Sequence, residues 1–577
     1  MKDNENTVHT IKKILGRLKR KAAGMLGNHS DYLTYYLTLP INEKGVLLES
    51  QNGKKIDGSI YYIVKELLTN GAYDGLEIFI SADNKETADR IHKTLSRFET
   101  SSVRIVITGS DNYYRALASV KYLINDATFK NSFIKKDGQV YLNTWHGTPL
   151  KHMGRKIKNE PDAPGNVMKN FVEADYIMFP NEYTCRHMIE DYMLEGICNS
   201  QIIFSGYPRN EAFFDEQSRY EIRKHICAEN ERVYIYMPTW RQSMEGSKTQ
   251  QVLSRMDEEL TDSEVMYAKL HPLARGSIDF GNFRRIREFP SEYETYEFLN
   301  IADCLITDYS SVFYDFAVTG RGIVLYTFDE KEYLRDRGLY TKLEELPFPK
   351  TTDIKELMEL ARVACDDCSY EGFRSEYCRF DSASSAENLC KVLFNQETDS
   401  VKKGEFPRNT GKNLFIYSAN LTKNEEMDEL VKMIRDKYVK DRRCFITYNR
   451  NDVKENPMVF GRVPDDISYF GCPGKMNMTG LQKKAEKDYK EKQISFNSYL
   501  SIVEKAFECE ILRNYGHSPI HEVRIMNCID PVILIKFAHI TGKRFLHLDD
   551  NNLKTLETWA DKEYTNYIKK HYEILTI

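Results

Sequence analysis

Gln139-Val140-Tyr141-Leu142-Asn143-Thr144-Trp145-His146-Gly147-Thr148-Pro149-Leu150-Lys151 is a short apolar run that breaks into a polar loop headed by a histidine. The same pattern recurs in Val265-Met266-Tyr267-Ala268-Lys269-Leu270-His271-Pro272. Two more apolar runs end in Pro238-Thr239-Trp240-Arg241 and in Ile306-Thr307-Asp308-Tyr309-Ser310-Ser311. Each reads as a strand giving way to a loop. In an open α/β sheet, ligands bind outside the carboxyl ends of the strands. All four segments hold that position, so they predict one shared cleft. Imidazoles, hydroxyls at a helix start and an arginine are residue types suited to phosphate transfer.

Outward from these loops, strands at 45–50, 76–81 and 103–108, with others near Tyr141 and Tyr176, alternate with helices at 60–68 and around 87–97. A second series follows a charged helix near 215–224, with strands at 233–237, 265–270, 304–307 and 323–326. Such β-α alternation means a parallel sheet covered by helices on both faces. Residues 395–413 are polar, contain Pro407 and read as a linker. A third series begins at Asn413-Leu414-Phe415-Ile416-Tyr417-Ser418, with strands near 444–448, 523–526 and 544–548. The Lys- and Glu-rich helix at 483–492 reads as a solvated face. The expected fold class is therefore α/β, with a pair of doubly wound Rossmann-type units, a cleft between them, and a third α/β Rossmann-like unit. Expected boundaries are 1–30 for an N-terminal segment, 31–215 and 216–395 for the paired units, 396–412 for the linker and 413–577 for the third unit.

A chain of 577 residues is too long for one core. Its 41% apolar and 12% aromatic content is that of globular protein, and a net charge of -5 gives no general nucleic-acid signature. Twelve scattered cysteines without a secretory leader argue for reduced thiols in a cytosol. Cys365-Asp366-Asp367-Cys368 lacks the second ligand pair that a structural zinc needs, so no metal site is expected. No apolar run approaches the ~20 residues needed to span a bilayer. From Thr7 to Ser30 there is no acidic residue, and Lys12, Lys13, Arg17, Lys19, Arg20 and Lys21 flank an apolar stripe of Ile11, Ile14, Leu15, Leu18, Ala22 and Met25. Such a helix suits an anionic membrane surface, each basic residue contributing about 1 kcal/mol. Packing on the first unit with the lysines solvated is the other reading.

His146 precedes Gly147, whose missing side chain lets a ligand approach the backbone. A neutral imidazole there would take a proton from an attacking hydroxyl, while a histidine after tryptophan also serves as a packed, hydrogen-bonded residue. Thr307, Asp308, Ser310 and Ser311 lie where a strand meets a helix, a place for ordinary caps and equally for amide donors to a phosphate. Asp308 would repel a phosphate and better orients a backbone group, a ribose hydroxyl or a histidine. Arg241 reads either as a two-pronged diphosphate clamp or as a surface ion pair. The Walker loop, the dinucleotide glycine motif and the zinc H-E-x-x-H motif are absent. No Asp-x-Asp follows a strand in the first two units, so metal-held diphosphate is not the expected picture.

In this order, Trp145-His146-Gly147-Thr148-Pro149-Leu150-Lys151, Pro238-Thr239-Trp240-Arg241, His271-Pro272 and Ile306-Thr307-Asp308-Tyr309-Ser310-Ser311 resemble the CDP-glycerol glycerophosphotransferase family, which contains the primases and polymerases of teichoic acid and some capsule polymerases. Arg337-Gly338-Leu339-Tyr340 looks like a further family segment, whereas residues 381–387 follow its last motif only loosely. The resemblance covers roughly 45–395. It implies a GT-B-like pair of units, acceptor on the first and nucleotide on the second, and transfer of a polyol phosphate from CDP-glycerol or CDP-ribitol with release of CMP. It implies His146 as general base and His271 as stabiliser of the diphosphate. Gly147, Thr148, Lys151, Arg241, Thr307, Asp308, Ser310 and Ser311 would then contact substrate or phosphate. No cofactor is required in that picture. The acceptor is a lipid-linked polymer and the location the inner face of the cell membrane, held peripherally. The third unit resembles the first half of a glycosyltransferase whose nucleotide-binding half is missing, because the chain stops at Ile577. It is expected not to be a separate enzyme. Two other functions stay open: a glycosyltransferase using a nucleotide sugar, and a nucleotide-binding scaffold without catalysis.

Overall fold

The computed structural model describes residues 29–577, apart from 240–246, 272–275, 277, 337, 367–369, 408–410, 419–420 and 559–560. The basic N-terminal stripe, Arg241, Pro272, Arg337 and Cys368 lie outside the described residues.

The first sheet uses β1 (Asn42–Glu49), β2 (Glu77–Ala82), β3 (Val103–Ile107), β4 (Val120–Asn125), β5 (Val140–Asn143), β6 (Tyr176–Phe179) and β7 (Gln201–Phe204). These run parallel in the order β3-β2-β1-β4-β5-β6-β7. Val46, Leu47 and Leu48 in β1, and Ile177, Met178 and Phe179 in β6, are buried in sequence rather than alternately. That is the mark of a parallel strand covered on both faces. Asp57 caps the helix α1 (Gly58–Thr69), its carboxylate accepting from the Gly58 N–H.

The second sheet uses β8 (Arg232–Met237), β9 (Glu264–Ala268), β10 (Ile286–Glu288), β11 (Cys304–Thr307), β12 (Gly322–Tyr326) and β13 (Lys350–Thr351), in the order β10-β9-β8-β11-β12-β13. α2 (Val312–Phe316) follows β11. Both sheets reverse their strand order, between β1 and β4 and between β8 and β11. The register aligns the strand ends there. Glu49 lies opposite Asn125 and Asn125 opposite Asn143, while Thr307 lies opposite Met237. The loops at 50–57, 126 and 144–147 therefore leave one sheet side by side, and those at 238–239 and 308–311 leave the other. This is the crevice where open α/β sheets bind ligands.

Two expected boundaries shift. Helix α3 (Ser385–Cys390) and the turn after it belong to the first unit, since Ala386, Leu389, Val392 and Leu393 pack with Ile60 and Val64 of α1. Within the stretch read as a linker, β14 (Lys402–Gly404) pairs antiparallel with β7. The cause is that the apolar face of α3 needs a core and the outer edge of β7 needs a partner.

The third sheet uses β15 (Lys412–Ser418), β16 (Arg442–Asn449), β17 (Ser468–Cys472), β18 (Glu522–Met526), β19 (Lys543–Leu548) and β20 (Glu573–Thr576), parallel in the order β17-β16-β15-β18-β19-β20. It repeats the strand order of the second sheet. The unit docks on the first: Phe171, Val172 and Met193 share one continuous core with Val459, Tyr469 and Tyr515. Polar ties cross the seam, from Arg450 to Asp162 and from Arg155 to the carbonyls of Val463, Pro464 and Ile467. His547 is engaged inside its own unit, its Nε2 accepting from Arg524 at 2.9 Å.

Candidate active site

His146 stands in the loop after β5. Its Nδ1 lies 2.8 Å from the Asp126 carbonyl oxygen. A carbonyl only accepts, so Nδ1 carries the proton and the lone pair of the neutral ring sits on Nε2. The ring is reached by solvent through the mouth of a recess whose walls both lobes crowd. That crowding pushes its pKa below the ordinary histidine value, and the Arg209 guanidinium pushes the same way against the Asp126 bond. The imidazole is thus held neutral with one defined basic atom. Trp145 supports it from below, ring centroids 4.2 Å apart, and takes a left-handed φ of 51° to do so. Asn143 enforces that turn: its Oδ1 accepts from the Trp145 N–H at 3.0 Å and its Nδ2 donates to the Ala127 carbonyl at 3.0 Å.

Arg209, just past β7, fastens this loop to the other lobe. It donates to the His146 carbonyl at 2.9 Å, and its Nη2 reaches both Asp315 oxygens on α2 at 2.9 and 3.0 Å. Tyr207 and Tyr296 lie against the guanidinium. The pair is fully enclosed, an arrangement in which removing either partner costs about 3–5 kcal/mol.

A cavity of about 250 Å³ lies between the lobes, lined by His146, Asp126, Arg209, Ser310 and Ser311 among others. Two lysines unremarked in the sequence also line it, Lys55 and Lys269. Lys55 is paired with Asp57, whereas Lys269 donates to Thr295 Oγ1 at 2.5 Å. Burial pulls Lys269 down to about 8, against the opposing pull of Asp57, which leaves it largely cationic near neutrality. A smaller recess adjoins, walled by His146, Gly147, Thr148, Lys151 and Ser311. A Cβ on Gly147 would stand 3.4 Å from Ser311 Oγ, an ordinary van der Waals contact, so this loop lies close against the other lobe.

The expected residues divide. His146, Gly147, Thr148, Lys151, Ser310 and Ser311 are brought together. Thr307 and Asp308 are both turned inward. Thr307 donates to the Met237 carbonyl at 2.7 Å, and Asp308 accepts from the backbone N–H groups of Thr239 and Tyr309. They fix the Thr239 and Tyr309 loops at the switch point. The Thr148 hydroxyl is buried and accepts from Asn181 Nδ2 at 3.4 Å. His271 is exposed beyond β9 and does not line the cavity that His146 lines, although Lys269, two residues earlier, does. α2 is only five residues long, so its dipole adds little to the cavity that Ser310 and Ser311 line. Among the described residues, no group of three or more His, Cys, Asp or Glu side chains is placed to hold a metal ion.

Two Rossmann-type units facing one another across a cleft define a GT-B-like fold. The chain belongs to the CDP-Glycerol:Poly(glycerophosphate) glycerophosphotransferase family, which it matches over residues 32–395. It is 26% identical over 379 residues to a teichoic acid poly(glycerol phosphate) polymerase of Staphylococcus epidermidis, covering 61% of this chain and 51% of that one. A polymerase of the same description from Bacillus spizizenii is 27% identical over 381 residues, 62% of this chain and 93% of that one. A teichoic acid poly(ribitol-phosphate) polymerase of B. spizizenii is 24% identical over 384 residues, 63% and 58%. The chain spans about half the length of the S. epidermidis protein and of its Bacillus subtilis counterpart. Among solved structures, the wall teichoic acid polymerase TagF shares the fold at a TM-score of 0.54 and 24% identity, covering 67% of this chain and 98% of that one.

Proposed function

We propose that this protein transfers a polyol phosphate from CDP-glycerol or CDP-ribitol to a hydroxyl of a lipid-linked teichoic acid or capsule acceptor, releasing CMP. The observation that carries the reading is the His146 ring, neutral and with a defined tautomer, facing Ser310 and Ser311 across the interlobe cavity. His146 Nε2 takes the proton of the acceptor hydroxyl. That oxygen attacks the polyol-bearing phosphorus in line, and the bond to CMP breaks. In such a displacement, positioning and charge stabilisation carry most of the catalysis. Lys269 and the Ser310–Ser311 donors face the growing charge. His271 and Arg241 are assigned to the diphosphate, and Lys151 and Gly147 to the acceptor side.

The test is turnover with labelled CDP-glycerol, CDP-ribitol and UDP-sugars on a lipid-linked acceptor, with product length measured. Release of CMP with one CDP-polyol is expected and assigns the polyol. Use of a UDP-sugar with both CDP-polyols inert would overturn the reading. No described helix is long and apolar enough to cross a membrane. Attachment to the inner membrane face is assigned to the basic segment before residue 29. Flotation with anionic liposomes should fall on deleting residues 1–28, and unchanged flotation removes that assignment.

A further inference from the structure

A cavity of about 620 Å³ lies outside the interlobe cleft, between the first and third units. Its floor is the carboxyl edge of the first sheet, at Glu49 and in the 128–132 loop, and its roof is the 474–477 loop after β17 with Lys483. It is next door to the catalytic cavity. Gln51 lines the catalytic one and Asn52 this one; Asp126 lines the catalytic one and Thr128 this one. A chain lying here would need to pass only that backbone ridge to bring its end toward His146.

The lining has a definite chemistry. Lys130, Lys475 and Lys483 face a single carboxyl, Glu49. Burial pushes that carboxyl up to about 7, even against its bond from Tyr113, so it opposes an anion weakly near neutrality. None of the three lysines forms an ion pair with a carboxylate among the described residues. Asn166 keeps a buried Oδ1 without a hydrogen-bond partner while its Nδ2 donates to the Phe129 carbonyl. An unsatisfied buried acceptor on a cavity wall marks a place where a donor, such as a ligand hydroxyl, is wanted. The walls are also locked across the seam. Asn477 Nδ2 donates to the Ser132 carbonyl at 2.7 Å, and Arg513 Nη1 donates to the Asn131 carbonyl at 2.7 Å.

We propose that this cavity is an acceptor subsite, holding a phosphate-bearing, hydroxyl-rich segment of the acceptor while its terminal hydroxyl reaches His146. The inference rests on the function proposed above and gives the third unit a role, since that unit supplies the roof and two of the three cations. The phosphate belongs either to the growing polymer or to the diphosphate of the lipid linker, and the chemistry of recognition is shared.

The test is the double variant Lys475→Glu, Lys483→Glu in the full chain. Both side chains are exposed, so an unchanged unfolding midpoint is expected. Two probes are titrated calorimetrically without donor: a lipid-free glycerol phosphate oligomer, and a lipid-diphosphate-linked disaccharide in detergent. At least one should bind the wild type and bind the variant on the order of tenfold or more weakly, with the difference shrinking at high salt. Whichever probe shows the difference names the source of the phosphate. In turnover, the KM for acceptor should rise by a similar factor while kcat and the KM for CDP-polyol hold within about twofold. Equal affinities for both probes, or no binding of either by the wild type, overturns the subsite. Absence of CMP release by the wild type sinks the function instead, and the titration still judges the subsite.

Discussion

Trp145 holds a left-handed backbone conformation, which for a residue other than glycine costs about 1–3 kcal/mol and persists only where surroundings enforce it. The return on that cost is the placement of His146, with Nδ1 tied to a carbonyl and Nε2 turned to the cleft. His146→Ala should therefore retain its fold and lose two or more orders of magnitude in CMP release. The pH profile follows from the direction of the shift. With its pKa depressed, the imidazole stays neutral to lower pH than usual, so the acid limb of kcat/KM should fall below the ordinary value of about 6.5. Arg209→Gln removes one of the charges that depress it, so the limb should move up toward that value. The same change strands Asp315 and should destabilise the fold by about 3–5 kcal/mol. An unmoved limb would mean that Arg209 is purely structural. His146, Ser310 and Ser311 were legible because each directly follows an apolar strand. Arg209, Asp315 and Asp126 were not, since their partners come from distant parts of the chain. For Arg209 a signal did exist, because Gly206-Tyr207-Pro208-Arg209 also follows a strand, β7.

Between residue and fold lies the segment 338–340, which straps the second unit to the first. The His152 N–H donates to the Gly338 carbonyl and the Tyr340 N–H to the Leu150 carbonyl, both at 2.9 Å, around the Lys151–Leu339 bridge. The Tyr340 hydroxyl accepts from the Met153 N–H and donates to Asp191. A Cβ on Gly338 would collide with the His152 ring. Gly338→Ala should thus lift the strap at a cost of about 1–3 kcal/mol. Tyr340→Phe should cost about 1–3 kcal/mol by leaving the Met153 donor unsatisfied. Differential scanning of both variants checks this. If either leaves the unfolding midpoint unchanged, the strap carries no stability. The sequence announced β5, β9 and β11, apolar runs ending in marked loops, but passed over β4, β7, β17 and β20, which are four to six residues long. It did not announce β10, β13 or β14, which are two or three residues long and owe their extended form to a neighbouring strand edge rather than to their own pattern.

On the scale of the whole molecule, the third unit is a complete six-stranded Rossmann sheet and yet part of the body of the first. Its long helix α4 (Phe496–Tyr515) buries Arg513 in a bidentate pair with Glu510, and the same guanidinium donates to the carbonyls of Asn131 and Pro473. Burial works against a charged Glu510, but Arg513 outweighs it and holds the carboxyl below the usual range. That contribution is present above the unfolded carboxylate pKa and is lost as pH falls through the lower folded value. Arg513→Ala should strand a buried carboxylate and cost about 3–5 kcal/mol, with the loss shrinking in acid as Glu510 takes up a proton. Because the core is continuous from Phe171 and Val172 to Val459 and Tyr515, the first two units are not expected to stand alone. A chain ending at residue 404 would bare the apolar faces that now meet the third unit, and an uncovered patch of that kind drives aggregation. Expression of residues 1–404 should accordingly give aggregate, or a soluble protein with a much lowered unfolding midpoint. A monodisperse, active fragment of normal midpoint would show that the third unit is an appendage, and that the seam between the sheets contributes no stability.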